Sequence, residues 1–342
     1  MPEILTERRG HLGLITLNRP EALNALNTEM CQTALDALLQ WRDDPDVVQV
    51  AVCGAGERGL CAGGDIVAIY QDIKNRTGFS ESFWRIEYQL NVLISEYPKP
   101  YIALMDGIVL GGGIGISAHG SHRIVTEASK CGMPEVGIGL FPDVGGTHLL
   151  ARAPQAAGRL AALTGAKFGA ADAILLGLAD SYVPQAKLSQ LLHDLESEPV
   201  DSLMRRYAQV PQQGFMHEQW VQAFAYENLR EVVLELRNHR EPKAQETAQA
   251  LQAACPSSVR LTDELIRRAD EDLRLDLQRE FRAVVHRLDD PDFAEGIRAA
   301  VIDKDRTPQW VEYLPGLSHE QRTERQLGPL PGAELNFALL EH

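Results

Sequence analysis

Two carboxylates, Glu135 and Asp143, stand eight residues apart in one glycine-rich stretch, and each follows a proline, Pro134 and Pro142. Proline fixes φ, so both acids project from stiff, similarly framed points. Two acids beside one cleft divide acid and base roles when their surroundings push their pKa values apart. The same spacing also suits a purely structural arrangement. In that arrangement one acid caps a helix beginning near Val144 and the other pairs with an arginine such as Arg152. Spacing alone leaves both readings open.

Glycine is concentrated around these acids, in Gly56–Asp65 (GERGLCAGGD), Asp106–Gly120 (DGIVLGGGIGISAHG) and Met133–Gly146 (MPEVGIGLFPDVGG). Glycine allows close approach of a backbone to a ligand and frees N–H groups as donors. The Gly111-Gly112-Gly113 run follows an apolar strand and precedes a helical pattern (Ile114, Ile116, Ala118). Its N–H groups therefore lie near a helix N-terminus, where negative charge is favoured. Other familiar motifs fail in detail. Gly113-Ile114-Gly115 with Ala118 fits a dinucleotide fingerprint, but Gly120 interrupts the helix and Glu135 directly follows Met133-Pro134. Gly115-Ile116-Ser117-Ala118 would be a nucleophile elbow if His119 were glycine. His119, His122 and Glu127 are not aligned for zinc, and no Gly-Lys-Ser/Thr follows a glycine run. No metal is expected.

The elements that position these loops alternate between strand and helix up to about residue 185. His11–Leu17 reads as a strand, Met30–Trp41 as a helix, Val47–Val52 as a buried strand, Phe83–Ser95 as a helix and Tyr101–Met105 as a strand. This is an α/β pattern, with helices covering a sheet. After about residue 200 the text becomes helical, in Trp220–Arg237 and Leu261–Arg287, and the interleaved charges read as solvated faces. The tail from Pro315, punctuated by Pro and Gly, reads as a flexible or subunit-contacting arm.

Composition narrows the partners. The 342 residues hold 48 acidic and 33 basic side chains, a net charge of −15, which disfavours nucleic acid and anionic membranes. Five scattered cysteines without a C-x-x-C pair argue against a disulfide framework or structural zinc and fit a reducing compartment. No apolar run is long enough for a membrane span, and Glu3 and Glu7 do not suit a transit peptide. A cytoplasmic location is the expectation.

At the same loops the chain resembles the crotonase (enoyl-CoA hydratase/isomerase) superfamily and, within it, the 3-hydroxyisobutyryl-CoA hydrolases. The superfamily motifs are Leu17–Leu26 (LNRPEALNAL), Cys61–Ile66 (CAGGDI), Lys99–Gly115 (KPYIALMDGIVLGGGIG) and Pro134–Gly146 (PEVGIGLFPDVGG). The hydrolase motifs are the aspartate of FPDVGG, Cys255–Ser258 (CPSS) and Asp292–Trp310 (DFAEGIRAAVIDKDRTPQW). The resemblance implies an α/β spiral of ββα turns, with a catalytic core over residues 1–200 and a mainly helical region over 201–342. It also implies an acyl-CoA substrate with no separate cofactor, CoA being part of the substrate, and a possible homo-oligomer. By this resemblance the N–H groups of Gly64 and Gly112 form an oxyanion hole, in which one donor is worth roughly 3–4 kcal/mol. Glu87, Ala25, Ala62, Asp65 and Ile66 are implied as substrate contacts. Independently of the resemblance, Lys304 is a candidate phosphate partner or the ion-pair partner of Asp303 or Asp305. Hydratases carry a glutamate where this chain has Gly115 and a glycine where it has Asp143. The implied activity is hydrolysis of a short, branched 3-hydroxyacyl-CoA, as in valine catabolism, by Glu135 and Asp143. A hydratase or isomerase using Glu135 alone, and a non-catalytic acyl-CoA binder, are the alternatives.

Overall fold

Each turn of the chain's spiral contributes strands and then a helix. In the computed structural model, which describes residues 2–154, 156–311 and 317–341, β1 (Ile4–Arg9) and β2 (Leu12–Leu17) pair antiparallel. Helix α1 (Thr28–Asp43) follows because the Asn27 side chain accepts the Met30 N–H at 2.9 Å. Such a cap contributes about 1 kcal/mol. Met30, Ala34, Leu35, Leu38 and Trp41 recur at helical spacing and are buried.

Strands β3 (Gln49–Gly54) and β4 (Tyr101–Met105) continue the sheet in parallel. β5 (Ile108–Leu110) and β7 (Lys130–Gly132) leave it for a second sheet, closed by β8 (Lys167–Phe168). β6 (His122–Val125) and β9 (Ser181–Tyr182) complete the first, in the order β1-β2-β3-β4-β6-β9. Consecutive strands β4 and β5, and then β6 and β7, thus turn a corner between sheets. These corners bring the glycine loops to one side.

The sheet is covered on both faces, which is why β3 and β4 are near-continuous apolar runs. Ile15 and Leu17 belong to a large apolar cluster that runs from Ile4 to Phe337. Leu12 and Leu14 point the other way, into a smaller cluster with Leu191, Leu195 and Leu203. Among the described residues no helix is long and apolar enough to cross a membrane.

Several boundaries differ from expectation. The strand expected over Val47–Val52 lies at Gln49–Gly54, since the Val47 N–H closes a turn on the Asp44 carbonyl. The helix expected from Phe83 begins a turn earlier, giving α3 (Phe79–Ser95), preceded by α2 (Ile66–Asn75). Trp220–Arg237 splits into a 3-10 segment, Gln219–Ala225, and a helix, Leu229–Asn238, capped by Asn228. Leu261–Arg287 splits into Pro256–Arg267 and Leu273–Arg287, the second capped by Asp272. Its charges are not all solvated: Asp263, Asp276, Glu280 and Arg287 are buried. Of the tail, Pro315 lies outside the described residues. Beyond it, Ser318 starts the helix His319–Leu327 with a full capping box, and Leu335 and Phe337 are buried in the core.

Candidate active site

The glycine loops enclose a cavity of about 210 Å³, and three carboxylates line it, with no Lys, Arg or His among the described residues. Glu87 comes from the inward face of α3, and Glu135 opens a 3-10 turn, Glu135–Ile138. Asp143 lies in the loop before α5 (Gly146–Ala151). They are only 2%, 7% and 6% exposed. Apolar Phe83, Trp84, Leu140, Val144 and Val301 form most of the remaining wall.

Burial disfavours the charged form of each acid, and the neighbouring acids add repulsion. Glu87 is raised well above the usual carboxylate range by desolvation, then by Asp143 and Glu135. Glu135 is raised by desolvation and then by Asp143. Asp143 is pushed up to about 7 by desolvation, restrained by the Tyr88 hydroxyl, which donates to Oδ2 at 3.0 Å. All three acids are therefore held toward their protonated forms, and the titration of one depends on the charge of the others. Glu87 Oε1 and Glu135 Oε2 are buried without a hydrogen-bond partner. A buried orphan acceptor is costly, and a ligand supplying a donor relieves it.

Glycine is required where these acids meet the backbone. Gly111 has φ +51°, and a Cβ there would sit 2.6 Å from Glu135 Oε1; at Gly112 it would sit 2.8 Å from Glu87 Oε1. That same Gly112 position lies 3.3 Å from the Gly64 nitrogen, so the two amides adjoin. Among the described residues neither the Gly64 nor the Gly112 N–H has a hydrogen-bond partner.

Gly115 is sealed. A Cβ there would lie 2.7 Å from Val144 Cβ and 3.1 Å from Asn91 Nδ2, so no glutamate side chain has room. Val144 occupies this space with φ +53°, a left-handed conformation that costs a β-branched residue about 1–3 kcal/mol. Its carbonyl accepts a hydrogen bond from His119 Nε2 at 2.7 Å. His119 is pushed down to about 4, chiefly by burial, and is therefore neutral with its proton on Nε2. Glu280, wholly buried, accepts the Gly145 N–H at 2.7 Å, the Thr147 N–H at 3.2 Å and the Thr147 hydroxyl.

Of the other expected contacts, Ala62 and Ile66 line the cavity. Ala25 and Asp65 do not. The Ala25 carbonyl accepts Arg19 Nη1 at 3.2 Å, while Asp65 caps α2 and pairs with Arg19 at 2.8 Å. Arg152 donates to the carbonyls of His148 and Asp270 rather than to either acid, and neither acid caps α5. The structural alternative for Glu135 and Asp143 thus lacks its contacts. His119 and His122 point to different partners, His122 to Ser121 and Asp201, and no described group of acids, His or Cys is arranged for a metal. The Ser117 hydroxyl donates into its own helix at Gly113, and Cys61 is buried with its thiol pushed up to about 12. Asp303 and Asp305 both pair with Arg298 rather than with Lys304.

Sequence reading missed Tyr88, Glu280 and Val301. For Glu280 a signal exists. Asp276, Glu280 and Arg287 share the helical stripe of Leu277, Phe281 and Val284, the face that is buried.

The Enoyl-CoA hydratase/isomerase family model matches residues 12–320. The chain belongs to the enoyl-CoA hydratase/isomerase family. Its crotonase-like fold is shared with solved members. A carnitinyl-CoA dehydratase from Mycobacterium thermoresistibile superposes with TM-score 0.93 at 41% identity, covering 98% of this chain and 99% of that one. An enoyl-CoA hydratase from Rhodobacter sphaeroides gives 0.90 at 38%, over 98% and 100%. Among curated family members, the mitochondrial 3-hydroxyisobutyryl-CoA hydrolase of Danio rerio is 38% identical over 93% of this chain and 87% of its own. That of Rattus norvegicus is 37% identical over 90% and 84%. The mitochondrial names lend nothing to the expected cytoplasmic location.

Proposed function

We propose that this family member hydrolyses a short, branched 3-hydroxyacyl-CoA, with 3-hydroxyisobutyryl-CoA as the reference substrate, to the free acid and CoA. The observation that carries it is the Glu135–Asp143 pair facing one cavity while Val144 seals Gly115, where a hydratase's second glutamate would stand. Similarity to relatives named as hydrolases supports the same reading. The cavity, about 210 Å³, suits a short acyl group.

The thioester oxygen sits between the Gly64 and Gly112 N–H groups, which stabilise the charge developing there. Burial disfavours the Glu135 anion, so the reactive form is the one in which Glu135 has lost its proton and Asp143 has kept its own; Glu135 then attacks the carbonyl carbon, an acyl–oxygen bond forms and the C–S bond breaks. The departing thiolate takes a proton from Asp143, which a pKa near 7 equips to hold one. Asp143 then removes a proton from water, the water oxygen adds to the Glu135 carbonyl carbon of the anhydride and expels the acyl carboxylate, and Glu135, now carrying one solvent oxygen, gives up its proton as product leaves, restoring both acids. Glu87 binds the 3-hydroxyl, relieving its orphan oxygen.

A thiol-release assay on 3-hydroxyisobutyryl-CoA, run beside loss of crotonyl-CoA absorbance, tests the reaction. Hydration without free thiol would refute the hydrolase reading. Single turnover in oxygen-18 water tests the covalent route, and an unlabelled Glu135 would leave it only as the base that activates water. Five free cysteines fit a reducing compartment, and the cytoplasmic assignment is checked by cell fractionation.

A further inference from the structure

Glu280 is an acidic side chain buried completely, on a helix more than a hundred residues away in sequence from the acids it approaches, and it does not line the cavity. Among the described residues every donor it receives belongs to one short stretch, the end of the Asp143 loop and the first turn of the helix that follows: the Gly145 N–H, the Thr147 N–H and the Thr147 hydroxyl. That loop begins at Asp143. Between them lies Val144, in its left-handed conformation, its carbonyl held by His119.

We propose that Glu280, with His119, is a positioning residue for Asp143, clamping the Asp143–Thr147 turn so that the Asp143 carboxylate faces the cavity. Four further observations fit. The turn closes on itself through the Gly146 N–H to the Asp143 carbonyl at 2.6 Å, so fixing residues 145 and 147 fixes residue 143. A Cβ at Gly145 would meet His119 Cε1 at 2.6 Å and Leu273 Cδ1 at 2.9 Å, so the turn is gripped between the histidine and the Glu280 helix. The residue after Glu280, Phe281, packs edge-on against Tyr88, the hydroxyl of which holds Asp143 Oδ2. One helix therefore supports the acid through its backbone and through its side-chain partner. Finally, a valine does not adopt φ near +50° unless its surroundings impose it, and those two side chains hold the Val144 carbonyl and the N–H that follows it.

The inference rests on the reading of Asp143 as a proton carrier. It is tested by a double-mutant cycle on thiol release, with kcat and KM measured for Asp143→Asn, Glu280→Ala and the double variant. Glu280→Ala is expected to lower kcat by roughly 10–100-fold with KM changed less than about threefold, the penalty of a displaced catalytic group. In the Asp143→Asn background the same change is expected to cost less than about twofold. Equal losses in both backgrounds would overturn the clamp, as would no loss in the first. An unchanged rate for Asp143→Asn alone would instead sink the site reading. Should Glu280→Ala fail to fold, Thr147→Val removes one of the three donors to Glu280 and His119→Leu removes the donor to Val144. Each is expected to lower kcat only where Asp143 is present, with His119→Gln restoring a donor and most of the rate. Losses that persist without Asp143 would again refute the proposal.

Discussion

Two groups of buried acids in this molecule have opposite surroundings. Glu87, Glu135 and Asp143 share a cavity without a cation, and two of their oxygens have no partner. Asp290 and Asp292, in the C-terminal region, are equally buried but held by Arg322, at 2.5 Å and 2.7 Å, and by Ser257 and Gln326. Arg287, with no exposed surface, joins them through Ser257 and Asp290. Burial works to raise Asp292, but the Val311 N–H, Ser257 and Arg322 outweigh it and leave it below its ordinary value. Burial is common to both groups; compensation is what separates scaffold from chemistry. The hydrolase motifs CPSS and DFAEGIRAAVIDKDRTPQW fall on the compensated side. Ser257, Ser258 and Asp292 anchor the C-terminal helices, and Val301 from the same stretch completes the cavity wall.

This contrast is broken most sharply at Glu135. Glu135→Gln is expected to lower kcat for thiol release by roughly 10³-fold or more, with the thermal transition retained. A loss below tenfold would remove Glu135 from the reaction. Across the divide, Asp292→Asn leaves Arg322 and Ser257 short of an anionic partner. It should cost about 3 kcal/mol in urea unfolding while activity per folded molecule changes less than twofold. A variant that keeps its stability and loses its rate would erase the distinction.

Asp143 gives a pH-dependent case. A carboxyl raised to about 7 when folded, against 3.8 otherwise, binds more protons folded than unfolded between those values. Stability therefore falls as pH rises from about 4 to 7 and levels beyond. Asp143→Asn removes this penalty, so it should unfold at higher temperature than the parent at pH 8, with the advantage vanishing near pH 4. The full effect is at most about 4 kcal/mol. An advantage independent of pH would mean Asp143 is not raised. Gly115→Ala should cost about 1–3 kcal/mol through its clash with Val144, and denaturant midpoints would show it. Smallest of all, iodoacetamide at pH 8 should leave activity unchanged, because the Cys61 thiol beside the oxyanion loop is buried and pushed up to about 12.

Much of this was legible in the chain. β4 and the α1 stripe are read directly from apolar periodicity, and Glu135 and Asp143 stand out by their proline framing. What was not legible depends on contacts between distant segments. Nothing near Asp143 announces Glu280, which reads as one charge among many until the helix is turned and its buried stripe is seen to include acids. Val301 enters the wall from a π-helical segment, Arg298–Ile302, a widened turn that periodicity does not reveal. Asp65 has partners that its neighbours in sequence do not announce. The resemblance implies a substrate contact there, and the side chain is engaged by Arg19 and the start of α2.

Val301 also bears on the order of events as the chain is made. The glycine loops and all three cavity acids leave the ribosome long before residue 301, and synthesis is slow relative to local folding. Until then the part of the wall that Val301 supplies is missing. The cavity therefore gains its full enclosure only in the last tenth or so of translation, after which the Asp292–Arg322 anchor can hold that segment in place.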